Sequence, residues 1–234
     1  MTESKDIKID KIIKTKRKTV MMQITKDARL IVRAPKYTPD FVIKIAVQKR
    51  AEWVQKNQEK IREKAKRIKK KKFVDNEEFL YLGLVCRLKI ISNSRTPLSL
   101  DKNVGEFLLS VDFFDDEKEA RELFVKWYKN HAREVVLSRV GKIAAKNNLC
   151  QYNEVRISNA RTRWGSCSSK GNINISWRLV MAPEDVIEYV IFHELAHLEE
   201  RNHGKQFWSL VEKMCPKYKE YRKWLKDNGQ MLNV

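Results

Sequence analysis

The run Tyr189-Val190-Ile191-Phe192-His193-Glu194-Leu195-Ala196-His197-Leu198-Glu199-Glu200-Arg201-Asn202-His203 sets the terms for the rest of the 234-residue chain. His193 and His197 are four residues apart, about 400° of helical rotation, so both imidazoles leave one face of a helix, one turn apart. Two nitrogens so placed suit two corners of a tetrahedral metal site. Glu194 follows about 100° further round, beside such a site rather than in it. From there its carboxylate can act as a general base toward a water held by the metal. The preceding turns, Val186 to Phe192, are mostly apolar, which predicts a buried amphipathic helix. Three of the four histidines fall between positions 193 and 203.

The third ligand requires a change of direction. His203 comes six residues after His197 and would point about 240° away on an unbroken helix. The helix is therefore expected to end near Arg201-Asn202, with Asn202 in a left-handed cap and Gly204 adding freedom. The 193/197/203 spacing equals that of the metzincin pattern H-E-x-x-H-x-x-G-x-x-H, with Glu200 in place of its glycine. Glu212 and Glu220 on a later helix are rival third ligands, while imidazole chemistry favours His203. Three protein ligands would leave one zinc position for a water of pKa about 7. That chemistry points to hydrolysis of a peptide bond with Glu194 moving the proton. Arg163, Arg178 and His131 are candidates for stabilising the oxyanion.

Outward from the motif, the pattern predicts an α+β fold. Lys18 to Ile24 and Arg29 to Arg33 form a hairpin around Lys26-Asp27, with Pro35 at its end. A helix follows from Thr38-Pro39-Asp40, with Thr38 as N-cap and Pro39 as first helical residue, and runs to about Ile68. It ends in a basic segment, Lys64 to Lys72, expected as a solvated helix end with nucleic acid as the sharper alternative. Phe79 to Ile91 and Phe107 to Val111 are strand-rich, and Asp116 to Asn147 carries helical spacing. Glu154–Ser158 and Asn172–Leu179 suggest an antiparallel pair around Arg163-Trp164-Gly165-Ser166-Cys167. The motif helix begins at Pro183-Glu184-Asp185 and extends to about Glu200; two closing helices flank Pro216. The expected organisation is a β-rich region with a long basic helix over 1–112 and a catalytic domain over 113–234.

Composition narrows the setting. With 42% hydrophobic residues the chain can bury a core. No segment approaches the ~20 apolar residues of a membrane span, and the charged N-terminus lacks a secretory h-region; a cytoplasmic location is expected. The four cysteines form no C-x-x-C pair, which speaks against a cysteine zinc site or a disulfide scaffold. A formal net charge of +19 admits polyanionic partners.

Arg163-Trp164-Gly165-Ser166-Cys167, Trp177-Arg178-Leu179 with Pro183, His193-Glu194-Leu195-Ala196-His197, Asn202-His203 and Phe207-Trp208 together resemble the YgjP-like metal-dependent hydrolases. These are zincin-like proteins akin to the SprT and WLM metallopeptidases. The resemblance covers most of the chain, including Arg33-Ala34-Pro35, Tyr81-Leu82-Gly83 and Trp127-Tyr128. It implies one zinc ion on His193, His197 and His203, with Glu194 catalytic. It also implies a minimal zincin-like catalytic domain: an active-site helix, a backing helix and a small, mostly antiparallel sheet whose edge could hold an extended polypeptide substrate. Ser176 stands where the family usually has Asn, a local departure away from the metal ligands. Arg163 to Cys167 is expected to serve strand-turn packing beside the metal, with Cys167 a remote ligand option. A zinc metallopeptidase is the leading expectation. A nucleoside triphosphate hydrolase, and a protease working on nucleic-acid-bound proteins, are the alternatives.

Overall fold

Burial alternates along Leu30-Ile31-Val32-Arg33-Ala34-Pro35: Leu30, Val32 and Ala34 point into a core while their neighbours do not. This is the period-two pattern of a strand covered on one face. The computed structural model describes residues 7–25, 27–67, 70–149 and 151–234, with the side chains of 64–67 outside that set. Its residues divide into two compact units, 1–69 and 70–234.

In the first unit, β1 (Lys11–Thr15), β2 (Met21–Ile24) and β3 (Leu30–Pro35) form a sheet in the order β1-β3-β2. The expected hairpin is β2–β3, antiparallel with Met21 opposite Arg33. β1 adds to its other side in parallel. Helix α1 (Asp40–Gln48) has Pro39 at its N-cap with no side-chain cap bond, so Thr38 does not cap it. The helix is also not continuous to Ile68. It stops at Lys49, whose N–H bonds to Ile45, and α2 (Ala51–Arg67) starts afresh. The break lets Ile43 and Val47 of α1 and Val54 of α2 meet the same sheet face. Of the basic segment 64–72, residues 68 and 69 and the side chains of 64–67 lie outside the described residues. In the second unit, Lys70 pairs with Glu117 at 2.9 Å and Lys71 covers the Phe79 ring.

The second unit opens with β4 (Glu78–Tyr81), β5 (Leu84–Ile91), β6 (Leu98–Asp101) and β7 (Glu106–Ser110), ordered β4-β5-β7-β6. Helix α3 (Glu117–Lys146) is capped by Asp116, whose carboxylate accepts from the amides of Lys118 and Glu119. Its Phe124, Trp127 and Tyr128 fill the sheet face with Phe79, Tyr81 and Phe107, Phe124 stacking on Phe79 at 4.3 Å. The strands 78–110 thus fall in one compact unit with the helices and strands that follow them.

A third sheet, β8 (Glu154–Ser158), β9 (Gly165–Cys167) and β10 (Asn172–Ser176), has the order β8-β10-β9. Here the expected antiparallel pairing is corrected. β8 and β10 run parallel, and the hairpin is β9–β10. The reason is that the segment after β8 crosses to the far edge before turning back at Ser168–Gly171. Each of the three sheets mixes parallel and antiparallel pairs: the four-stranded sheet has two antiparallel pairs and one parallel pair, and each three-stranded sheet has one of each. The strand expected to reach Leu179 ends at Ser176 and becomes a 3₁₀ turn, Trp177–Met181. Helices α4 (Glu184–Ala196), α5 (Lys205–Met214) and α6 (Tyr218–Asn228) complete an α+β unit. No helix among the described residues is long and apolar enough to cross a membrane.

Candidate metal centre

Helix α4 is positioned from both ends. At its start, the β4–β5 turn at Leu82-Gly83 donates from Leu82 to the Val180 carbonyl (2.8 Å) and from Gly83 to Met181 (3.2 Å). Both residues have positive φ, 50° and 81°, as a two-residue hairpin of this hand requires. Gly83 lies directly on Pro183 at the N-cap, where a Cβ would stand 2.8 Å from Pro183 Cα. Along its side, Arg139 of α3 bridges Glu184 (2.7 Å) and Glu188 (2.8 Å). Val186, Ile187, Val190, Ile191 and Leu195 fix the inward face.

The last turn carries His193 and Glu194 and leads to His197. The helix ends at Ala196, earlier than Glu200, and His197 is its C-cap with φ −70°, still helical. The four-residue stacking of His193 and His197 therefore survives, with ring centroids 5.1 Å apart. Asn202 does not adopt a left-handed φ. The reversal uses two other bonds: His197 Nδ1 to the Glu200 carbonyl at 3.0 Å, and the Gly204 amide to Asn202 at 2.7 Å. Helix α5 then starts at Lys205. His203 is returned to the centre, its Nε2 3.0 Å from His193 Nε2. One nitrogen from each of the three histidines lies within 4.8 Å of the others, the only such group of three potential ligands among the described residues. Phe207, fully buried, underlies all three rings at 4.5–4.9 Å.

The donor set fits a divalent ion such as zinc. Two nitrogens on one tetrahedral zinc, each about 2.0–2.1 Å from it, stand roughly 3.3 Å apart, close to the His193–His203 separation of 3.0 Å. His197 gives its Nδ1 proton to a carbonyl, leaving the Nε2 lone pair available. Burial, with the neighbouring His197, His203 and Arg222, drives the His193 pKa down to about 3, so the ring is neutral. His193 Nδ1 is buried without a hydrogen-bond partner among the described residues, a cost of about 1–3 kcal/mol.

Glu194 is only 4% exposed, and burial pushes its carboxyl up to about 8, opposed by the Arg163 guanidinium. Its seat is Gly165: a Cβ there would stand 2.5 Å from Oε1 and 2.6 Å from Cγ. A cleft of about 380 Å³ above the histidines is lined by Glu194, Arg163, Arg201 and the strand Gly165–Cys167 with Ser168 and Ser169.

Of the candidate oxyanion groups, only Arg163 lines this cleft. Arg178 is buried against Trp177 and bonded to Asn159, and His131 stacks on Trp127 at 3.7 Å with Nδ1 on the Trp127 carbonyl. Neither Glu212, paired with Lys219 at 3.4 Å, nor Glu220 joins the histidines. Cys167 lines the cleft without entering the ligand group; Cys86, Cys167 and Cys215 are free thiols, and Cys150 lies outside the described residues. Ser176, the local departure noted in sequence, is buried and donates to the Ala160 carbonyl at 2.9 Å. Spacing alone did not single out Gly165, Arg201 or Phe207; the Arg163–Cys167 run was the visible trace of the first.

Comparison with known proteins matches the family model of the YgjP-like metallopeptidase domain over residues 18–228. Over 70 residues the chain is 34% identical to a UTP pyrophosphatase of Escherichia coli (strain K12), a match covering 28% of this chain and 42% of that protein. Two solved metallopeptidase zymogens are similar to part of the chain. One is abylysin of Pyrococcus abyssi, 26% identical with a TM-score of 0.36 over 39% of this chain and 93% of that one. The other is jannalysin of Methanocaldococcus jannaschii, 21% identical with a TM-score of 0.33 over 38% and 93%.

Proposed function

This chain belongs to the YgjP-like metallopeptidase family, and on that premise we propose that it is a zinc-dependent hydrolase of peptide bonds. The observation that carries the proposal is the convergence of three imidazoles beside one buried carboxylate, in an open cleft. We assign His193, His197 and His203 as ligands of one zinc ion and Glu194 as the catalytic residue. The zincin-like catalytic domain is assigned to residues 113–234, which contain every one of these groups.

The bound ion would supply Lewis acidity and lower the pKa of a water. Glu194 then takes a proton on its carboxylate from the attacking water and returns it to the leaving amine nitrogen. Arg163 favours the ionised form of Glu194 against its burial. Arg163 faces the same cleft and balances negative charge developing on the carbonyl oxygen. β9 is the edge strand beside it, so its free backbone groups can align an extended polypeptide by strand addition. Burial of Glu194 against Gly165 holds the base in one place.

A second reading, nucleoside triphosphate hydrolysis, is favoured by the partial identity to a UTP pyrophosphatase and by arginines at the cleft. Incubating the zinc-loaded chain with an unfolded casein-like polypeptide and, separately, with nucleoside triphosphates decides between them. Release of peptide amines lost in Glu194→Gln is expected; pyrophosphate release without proteolysis would transfer the same centre to the second reading.

A further inference from the structure

A second cleft, of about 340 Å³, adjoins the first and shares Arg163, Gly165, His193 and Glu194 with it. Its remaining walls are apolar, from Trp164, Tyr189, Val190 and Leu225, while Arg222 and Lys226 of α6 bring positive charge to its rim. Apart from the shared Glu194, no acidic residue among the described residues lines it.

The walls are held. A Cβ on Gly229 would stand 2.6 Å from Trp164 Cζ2, so the indole is seated directly against the end of α6. The Arg222 guanidinium lies over the Trp208 ring at 5.0 Å, and Trp208 stacks on Tyr218 at 5.3 Å. Partly apolar walls weaken the screening of an ionic contact, and an arginine fork offers paired donors to a planar or tetrahedral oxyanion. A volume near the low end of ligand pockets, about 300–1,000 Å³, suits an acidic side chain or a short phosphate chain.

We propose that this second cleft is an oxyanion subsite, with Arg222 and Arg163 receiving a carboxylate or phosphate of the substrate attached next to the bond under attack. The position "next to the bond" rests on the hydrolytic reading of the histidine centre; the anion preference itself rests on the cleft.

The test measures equilibrium binding by calorimetry to the full-length, zinc-loaded Glu194→Gln chain. The probes are matched blocked hexapeptides with a single Glu or Gln, and UTP against uridine. The Glu peptide or UTP is expected to bind about tenfold to a hundredfold tighter than its neutral partner, less so at high salt. The preference should collapse in Arg222→Glu and shrink in Arg222→Gln, both exposed-site changes. Preference for the Glu peptide identifies a carboxylate source, and preference for UTP a phosphate source. Equal binding of charged and neutral partners, or a preference untouched by Arg222→Glu, overturns the subsite. If discrimination persists while the wild-type chain hydrolyses none of these probes, the subsite stands and the hydrolytic reading falls.

Discussion

Gly165 and Glu194 are in contact at a point where no side chain fits: a Cβ on Gly165 would lie 2.5 Å from Oε1 and 2.7 Å from Cδ of the carboxylate. The strand β9 therefore acts as a stop for the glutamate, holding it beside the imidazoles. Gly165→Ala must push Glu194 aside or bend the strand. Misplacing a reacting group by about 1 Å costs on the order of 10²-fold in rate. Peptide hydrolysis by this variant is expected to fall by about that factor while metal content, read by atomic emission, stays at the wild-type level. An unimpaired rate would show that the contact does not position the base.

Binding of an ion by the folded centre alone stabilises the chain by mass action, about 4 kcal/mol at a thousandfold excess over Kd. For a unit of this size that amounts to a rise in Tm on the order of 10 °C. Differential scanning calorimetry with zinc and with a chelator should show this shift in the wild type. His203→Ala is expected to remove most of it, since only three imidazoles converge there among the described residues. Equal shifts in both proteins would rule out His203 as a ligand.

Much of this site could be read from spacing. The i, i+4 relation of His193 and His197 is a property of the helix itself, and the α+β class followed from alternating and helical periods. The path to His203 could not be read, because it depends on bonds specific to the folded chain. Asn202 does not turn left-handed; a side-chain nitrogen of His197 holds the Glu200 carbonyl instead. Strand direction in the third sheet was equally hidden. β8 and β10 carry the same local pattern whether paired parallel or antiparallel, and only the crossover through 159–164 selects the parallel register. The break between α1 and α2 escaped notice because Lys49-Arg50 contains no helix breaker; the shared core of Val47 and Val54 imposes it. Gly165 was part of a noticed run, but its reason is a long-range contact with no local signature.

The mounting of α4 on the β4–β5 turn makes a third prediction. Gly83 has φ 81° and faces Pro183 Cα at 2.8 Å from its would-be Cβ. Gly83→Ala incurs about 1–2 kcal/mol from the left-handed backbone alone, with the steric conflict in addition. A fall in Tm of several degrees is expected, read by thermal unfolding of the zinc-loaded protein. An unchanged Tm would mean that the turn does not bear on the helix start.

The central claim is that Glu194 moves the proton in a hydrolytic centre whose metal is held by other residues. Single-turnover cleavage of a peptide by Glu194→Gln, with zinc per chain measured on the same sample, tests it most directly. The expected result is one zinc per chain and a rate reduced by about 10²–10⁴-fold, the range typical of a lost general base. A variant that keeps its zinc and cleaves at the wild-type rate would contradict the claim.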